Sequence, residues 1–400
     1  MPPYDIVDTW RTVISPQRLA LYTLFPIFCL LILAITPPQF MGTRLKQVIS
    51  FPLMASLLIN PFSYRDEINS PFCLFCQMIP VTMFQRFSDI FWIQPWLYKK
   101  ESYVSIAELD HEIWSSVRKA PKKDAKQPIK DKKFYHLFPS MLLNAIGFDM
   151  AIAWVKTFTA KDVYEMEANP SIKYFMFFCA GIMLMTTLFN LVGNVMQLCY
   201  SVFVDNGDYA PEEWRNIMEY PLAGTSLEDI WSHRWHKVLR PAWVACAFKP
   251  VFFMVRKSTN NSPQGKQLAI ALASLSVFLA SGIAHEYVAL CNTGWSIYKE
   301  HFMGQEMLFF GLQGILVIIE KALGMWLKTV LPASFIRSPL VLMARNAYVL
   351  SVGLATFPYF INSFADWGFW KFDNLTPIEP LLRQYLIQTP YLRPFCGSLT

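Results

Sequence analysis

Two histidines in this chain stand where an imidazole could move a proton. His285 lies near one end of Lys266–Leu290, KQLAIALASLSVFLASGIAHEYVAL, a stretch with no charge between Leu268 and Ala284. An ionisable side chain facing lipid costs about 3 kcal/mol, so such a residue is expected to face a bundle interior or a water-filled cavity. Ser281 precedes it by four residues and shares its helix face. Gly282 leaves room beside it for a neighbouring helix or a ligand. Glu286 is offset by about 100° and need not point the same way. The plainer reading of His285 is a hydrogen bond between helices. A zinc site of HExxH spacing would need a histidine at 289, where Ala289 stands, so no metal is expected.

The second histidine, His236, belongs to Ser226–Arg240, SLEDIWSHRWHKVLR. Ser226 with Asp229 three residues on resembles a capping box. Glu228 and Asp229 then fall in the first turn and Lys237 and Arg240 in the last, matching the helix dipole. The spacing predicts one amphipathic helix lying in the membrane interface. Leu227, Ile230, Trp231, Trp235 and Val238 would face lipid, with Asp229, His233, His236 and Arg240 opposite. A third polar feature is Asn190, Asn194, Gln197 and Ser201, which form a single stripe at helical spacing. The stripe could bond neighbouring helices or wall a substrate channel.

The elements that position these residues are apolar helices. Of 400 residues, 54% are hydrophobic and 16% charged, well below the roughly 25% charged of soluble proteins. Repeated apolar segments predict an all-α, polytopic transmembrane helical bundle of eight to nine spans, forming one integral-membrane domain over residues 1–400. Spans are expected at 19–36, 45–60, 72–97, 141–158, 172–204, 266–290, 307–327 and 340–360. Pro241–Val255, interrupted by Lys249-Pro250, is short enough to re-enter. The basic loop Lys99–Lys133 carries ten Lys/Arg against six Asp/Glu and sets orientation, with this loop and Asp205–Arg240 in the cytosol and Met1 in the lumen. Asn260-Asn261-Ser262 is a glycosylation signal that would probe this topology. The net charge of +6 is explained by such loops, and no nucleic-acid partner is expected. Eight scattered cysteines make no disulfide framework, and Cys73-x-x-Cys76 lacks a thioredoxin-like context.

SLEDIWSHRWHKVLR resembles the hallmark of the wax-synthase branch of membrane-bound O-acyltransferases: a Ser-Leu, an acid, an aromatic-Trp pair, then Arg-Trp-His. SGIAHEY resembles the family's catalytic-histidine segment, and the two motifs come in the family's order, with His236 and His285 49 residues apart. The resemblance covers residues 140–360 and is closest in character to fungal enzymes that acylate, often acetylate, terpenoid or other lipophilic natural products. His233 stands where a small residue is common, and His236 where many relatives have Asn. What the resemblance implies is a transfer from acyl-CoA, acetyl-CoA for the nearest type, to a lipophilic alcohol. His285 would be the catalytic base, since imidazole titrates near neutrality. His236, or Trp235 through its Nε1–H, would steady the oxyanion or thioester. Arg234, Lys237 and Arg240 suit the phosphates of coenzyme A, and Asn190 and Asn194 would line the substrate path. No bound cofactor is expected beyond this co-substrate. The expected setting is the bilayer of the endoplasmic reticulum. Competing readings are a long-chain wax-ester synthase and, from another class, a transporter using His285, Asp149 and Arg345.

Overall fold

The computed structural model describes residues 9–66, 71–119, 131–368 and 376–398. Almost everything in it is helical. Among the described residues, seven helices are long and apolar enough to cross a membrane: α1 (Pro16–Ile35), α2 (Thr43–Ser63), α3 (Phe134–Val155), α4 (Ile172–Phe203), α5 (Pro263–Phe302), α6 (Gln305–Val330) and α7 (Pro339–Trp367). Among the described residues, strand amounts to two short pairings, Thr12–Val13 parallel to Tyr64–Arg65 and Lys132–Lys133 antiparallel to Asp208–Tyr209, and an isolated bridge between Arg118 and Trp214.

The all-α bundle class holds, and among the described residues seven of the expected spans are long and apolar enough to cross a membrane, with the 71–98 and 240–258 runs helical but more polar. Pro71–Ser88 and Asp89–Tyr98 do form one helical run. It carries Gln77, Gln85, Arg86 and Asp89, too polar a set for a hydrocarbon core. Residues 240–258 are also helical, with a π-helical middle over Val244–Phe248, but Arg240, Lys249, Arg256 and Lys257 interrupt the apolar run. Most of the basic end of the Lys99–Lys133 loop, residues 120–130, lies outside the described residues.

The contacts group into two compact units. The first comprises Met1–Leu109, Leu239–Ile319 and Tyr359–Phe369. Its core is a cluster of Leu30, Leu57, Phe87 and Phe91 contributed by α1, α2 and the 71–98 run. Lys46 is 1% exposed there, and its ammonium donates to the carbonyl oxygens of Thr36 at 2.5 Å and Ser102 at 2.6 Å. Backbone oxygens thus replace water around a buried cation. Helix α5 starts on Ser262, whose hydroxyl accepts from Gly265 N, with Pro263 at the first position. It bends at Gly294, where φ is +73° and a Cβ would stand 2.9 Å from the Trp10 ring. Trp10 Nε1 donates to Cys291 O at 3.1 Å, and Arg11 to Asn292 Oδ1 at 3.2 Å. Residues 10 and 11 therefore brace the bend.

The second unit comprises Asp110–Val238, Glu320–Pro358 and Trp370–Thr400. Helices α3 and α4 pack together in it, and Val117, Tyr200, Trp214 and Ile217 form its main cluster. Thr159 and Asp162 make a full capping box, and Asp162 also accepts from Ser398 N and Oγ, which ties down the segment after Ile378–Gln388. None of the eight cysteines is in a disulfide.

Candidate functional site

In the first unit, α5 places His285 one turn after Ser281, and His285 Nδ1 lies 2.9 Å from Ser281 O. A carbonyl oxygen can only accept, so Nδ1 carries the proton and Nε2 keeps the lone pair. The ring is 8% exposed and is walled by Phe310 at 4.6 Å and Phe360 at 5.7 Å between centroids. Such surroundings give an imidazole few competing partners and a low dielectric. The hydroxyl of Ser281 is buried on the same face without a hydrogen-bond partner among the described residues.

Glu286 turns elsewhere, as its helical offset requires. Its carboxylate accepts from Tyr298 OH and, at 2.9 Å, from Met307 N in the first turn of α6. A carboxylate on an open helix N-terminus satisfies an orphan donor and opposes the dipole. Gly282 permits the approach: a Cβ there would meet Met307 Sδ at 2.9 Å and Met307 Cα at 3.2 Å. Glu286 thus holds α6, and with it Phe310, against the imidazole.

In the second unit the motif at 226–240 departs from the expected helix. Ser226 does cap, its hydroxyl accepting from Asp229 N at 2.8 Å. The helix then runs for Leu227–Asp229, widens to π geometry over Ile230–Arg234, and stops at Trp235, whose backbone is extended (φ −76°, ψ 156°). The single amphipathic interfacial helix is therefore corrected to a capped helical stretch that ends at Arg234, an extended Trp235, and a turn at 238–239 before the next helix begins at Arg240. Tertiary partners explain the break. Arg234 Nε donates to Asp229 Oδ2 at 2.6 Å, and its Nη1 to the carbonyls of Glu219 and Tyr220. Trp235 and Val238 pack on the Val117–Trp214 cluster instead of facing lipid together. His236 stacks on Phe189 of α4 at 4.4 Å and 19°.

Three residues far along the chain bolt this loop in place, and none was legible from the motif. Glu320 accepts from Leu227 N at 2.8 Å, Arg345 donates to Thr225 O, and Asn346 donates to the carbonyls of Leu222 and Gly224. Asn190 closes a two-bond clamp on the Met218 backbone, at 3.1 Å and 2.9 Å. Asp149 accepts from Thr376 N and Oγ1. Asp149 and Arg345 each have a local task, and nothing here favours a transport relay through them.

Beside the loop lies a cavity of about 620 Å³. Arg234, His233 and Asn194 line it together, with Lys119, Lys132 and Arg215 as further cations and Glu219 and Asp229 as the acids. The polar stripe of α4 supplies its floor: Asn194 donates to Ser140 Oγ at 3.0 Å, and Gln197 accepts from Tyr209 OH at 3.1 Å. Burial, with Glu212 nearby, pushes the Tyr209 phenol up to about 12, so it remains a donor at any working pH. Asn190, Trp235, His236 and Lys237 belong to the same unit without lining the cavity, while Arg240 and His285 belong to the first unit.

Residues 214–312, which contain both motifs, match the "Membrane bound O-acyl transferase family". Over 102 residues the chain is 28% identical to an Arabidopsis thaliana protein named "Probable long-chain-alcohol O-fatty-acyltransferase 7". That match covers 26% of this chain and spans only about a quarter, 27%, of the relative. The family match falls on the part of the chain that carries the two motifs, and the seven apolar helices among the described residues are those of an integral, multi-pass membrane protein.

Proposed function

We propose that this chain is a membrane-bound O-acyltransferase that moves an acyl group from acyl-CoA to the hydroxyl of a lipophilic alcohol. The observation that carries the reading is His285: a buried imidazole of fixed tautomer, with Nε2 as its basic atom, inside an aromatic wall. Nε2 takes the hydroxyl proton as the alcohol oxygen attacks the thioester carbon. The C–S bond then breaks, the imidazolium returns its proton to the thiolate, and the products are an ester and coenzyme A. His236, or Trp235 Nε1, serves the oxyanion or the thioester. The cavity beside Arg234 suits the coenzyme's phosphates, with four cations against two carboxylates on its wall. Asn194 faces the donor there, whereas Asn190 contributes by clamping the loop. Lys237 and Arg240 add positive charge along the same motif. The whole chain works as one integral-membrane catalyst in the endoplasmic reticulum, with Lys99–Lys133 and Asp205–Arg240 on the cytosolic side.

The finer reading is an acetyl donor and a terpenoid-type acceptor, from the likeness of SLEDIWSHRWHKVLR to enzymes of that kind. A long-chain acyl donor with a fatty alcohol is the second reading, favoured by the printed name of the plant relative. Reconstituted protein given acetyl-CoA or palmitoyl-CoA, with fatty and terpenoid alcohols, separates the two by mass spectrometry of the esters. Ester formation that persists unchanged in His285→Ala, or no ester from any pair, would end the proposal.

A further inference from the structure

The first unit holds a cavity of about 500 Å³ that neither the base nor the donor uses. Lys100, Lys249 and Arg256 line it, and no carboxylate does. Arg256 is fixed by its Nη1 bond to Ser262 O at 2.6 Å. Lys249 has no ion-pair partner among the described residues. Three like charges around one cavity repel, and an anionic ligand seated there would relieve that repulsion.

The rest of the wall is aromatic. Phe248 and Phe252 stack at 5.9 Å, and Tyr98 meets Phe253 edge to face at 5.2 Å. The Tyr98 hydroxyl is buried and lacks a hydrogen-bond partner among the described residues, leaving a donor beside the cations. A purely soluble anion would have no use for this ring surface. An apolar molecule would leave the cations uncompensated. The ligand that satisfies both is an anionic amphiphile. Phe253 and Met254, 37% and 42% exposed, continue the apolar surface outward from the cavity.

We infer that this cavity binds a glycerophospholipid, with its headgroup phosphate among Lys100, Lys249, Arg256 and the Tyr98 hydroxyl, and an acyl chain along Phe248, Phe252 and Phe253. This goes beyond the acyltransferase reading, because the bound lipid is neither donor nor acceptor. It would fasten the helical run 240–258, which is too polar to be held by the hydrocarbon core alone.

The test uses the full chain in phosphatidylcholine nanodiscs doped with phosphatidylglycerol. Lipid retained after detergent washing is measured by mass spectrometry. Wild type should retain phosphatidylglycerol selectively. Lys249→Gln with Arg256→Gln should lose about fivefold per removed charge, roughly 25-fold together. Lys249→Arg should keep the selectivity and serves as the folded, charge-preserving control. Phe252→Ala should weaken retention of both lipids. Lys266→Gln, an exposed cation outside the cavity, should change nothing. Equal retention by wild type and the double variant would overturn the site, as would an equal loss from Lys266→Gln. Displacement of the lipid by millimolar inorganic phosphate or coenzyme A would reassign the cavity to a soluble phosphate. Because binding is read without turnover, failure here is distinct from failure of the proposed activity.

Discussion

Gly282→Ala tests whether the approach of α6 sets the geometry around His285. The added Cβ would stand 2.9 Å from Met307 Sδ, 3.2 Å from Met307 Cα and 3.5 Å from Glu306 O. A thioether can swing away, but a Cα cannot, so α6 must retreat by roughly 0.2–0.5 Å in a close-packed interior. Overpacking of this kind costs about 1–3 kcal/mol of stability. The retreat also stretches the 2.9 Å bond from Met307 N to Glu286 and draws Phe310, one turn further on, off the imidazole. Since a 1 Å misplacement costs on the order of 10²-fold, kcat should fall about 3- to 10-fold. KM for the thioester should hardly move, because nothing in the cavity beside Arg234 is touched. The assay is initial-rate release of coenzyme A thiol in nanodiscs, with thermal unfolding followed on the same samples. Met307→Ala in the Gly282→Ala background should leave kcat low, because Met307 Cα, the contact that forces the retreat, is still there. A folded Gly282→Ala protein with wild-type kcat, or a double variant restored to wild-type kcat, would refute the reasoning.

His285→Ala should lower kcat about 10²- to 10⁴-fold with folded yield unchanged, as expected for loss of a general base; retention of more than half the activity removes His285 from the mechanism. Asn190→Ala strands the buried N–H and carbonyl of Met218, which should cost about 2–4 kcal/mol and speed hydrogen exchange at residues 217–219. Asp162 loses solvent through burial, which raises its pKa, yet bonds from Thr159 and Ser398 outweigh this and hold the carboxyl below its usual 3.8. A depressed folded pKa means that its stabilisation is present above 3.8 and fades as the pH falls through the lower folded value. Limited acid proteolysis should therefore release the segment around Ser398 only below the ordinary carboxylate range, and Asp162→Asn should release it already at neutral pH.

The apolar runs were legible because hydropathy is a local property, and α1, α2, α4, α5, α6 and α7 lie close to where composition puts them. His285 was legible for the same reason, as a lone imidazole on an apolar background. The course of the chain after Arg234 was not. Its helical grammar is genuine as far as Ser226 and Asp229, but the competing interactions are tertiary: two carbonyls that draw Arg234 back, and a core that takes Trp235. Glu320 and Asn346 pin the loop from 93 and 122 residues away, and no spacing rule connects residues so far apart. Lys46, inside the expected 45–60 span, drew no reading of its own, and the carbonyl of Ser102, 56 residues later, is what seals it inside.

The bend of α5 has a consequence for the order of assembly. Trp10 and Arg11 leave the ribosome 281 residues ahead of the Cys291 and Asn292 groups they hold. The contact is thus among the longest loop closures in the chain, and it cannot form during most of synthesis. Until it does, Gly294 has no indole against it, and the helix that carries His285 can sample a straighter path. The nascent chain would therefore insert its apolar helices first and acquire a competent imidazole site last. A short stretch with little hydropathy of its own would then act as the final clasp of maturation. Tags or fusions abutting residue 10 would delay that closure while leaving membrane insertion intact, separating the amount of inserted protein from the fraction that works.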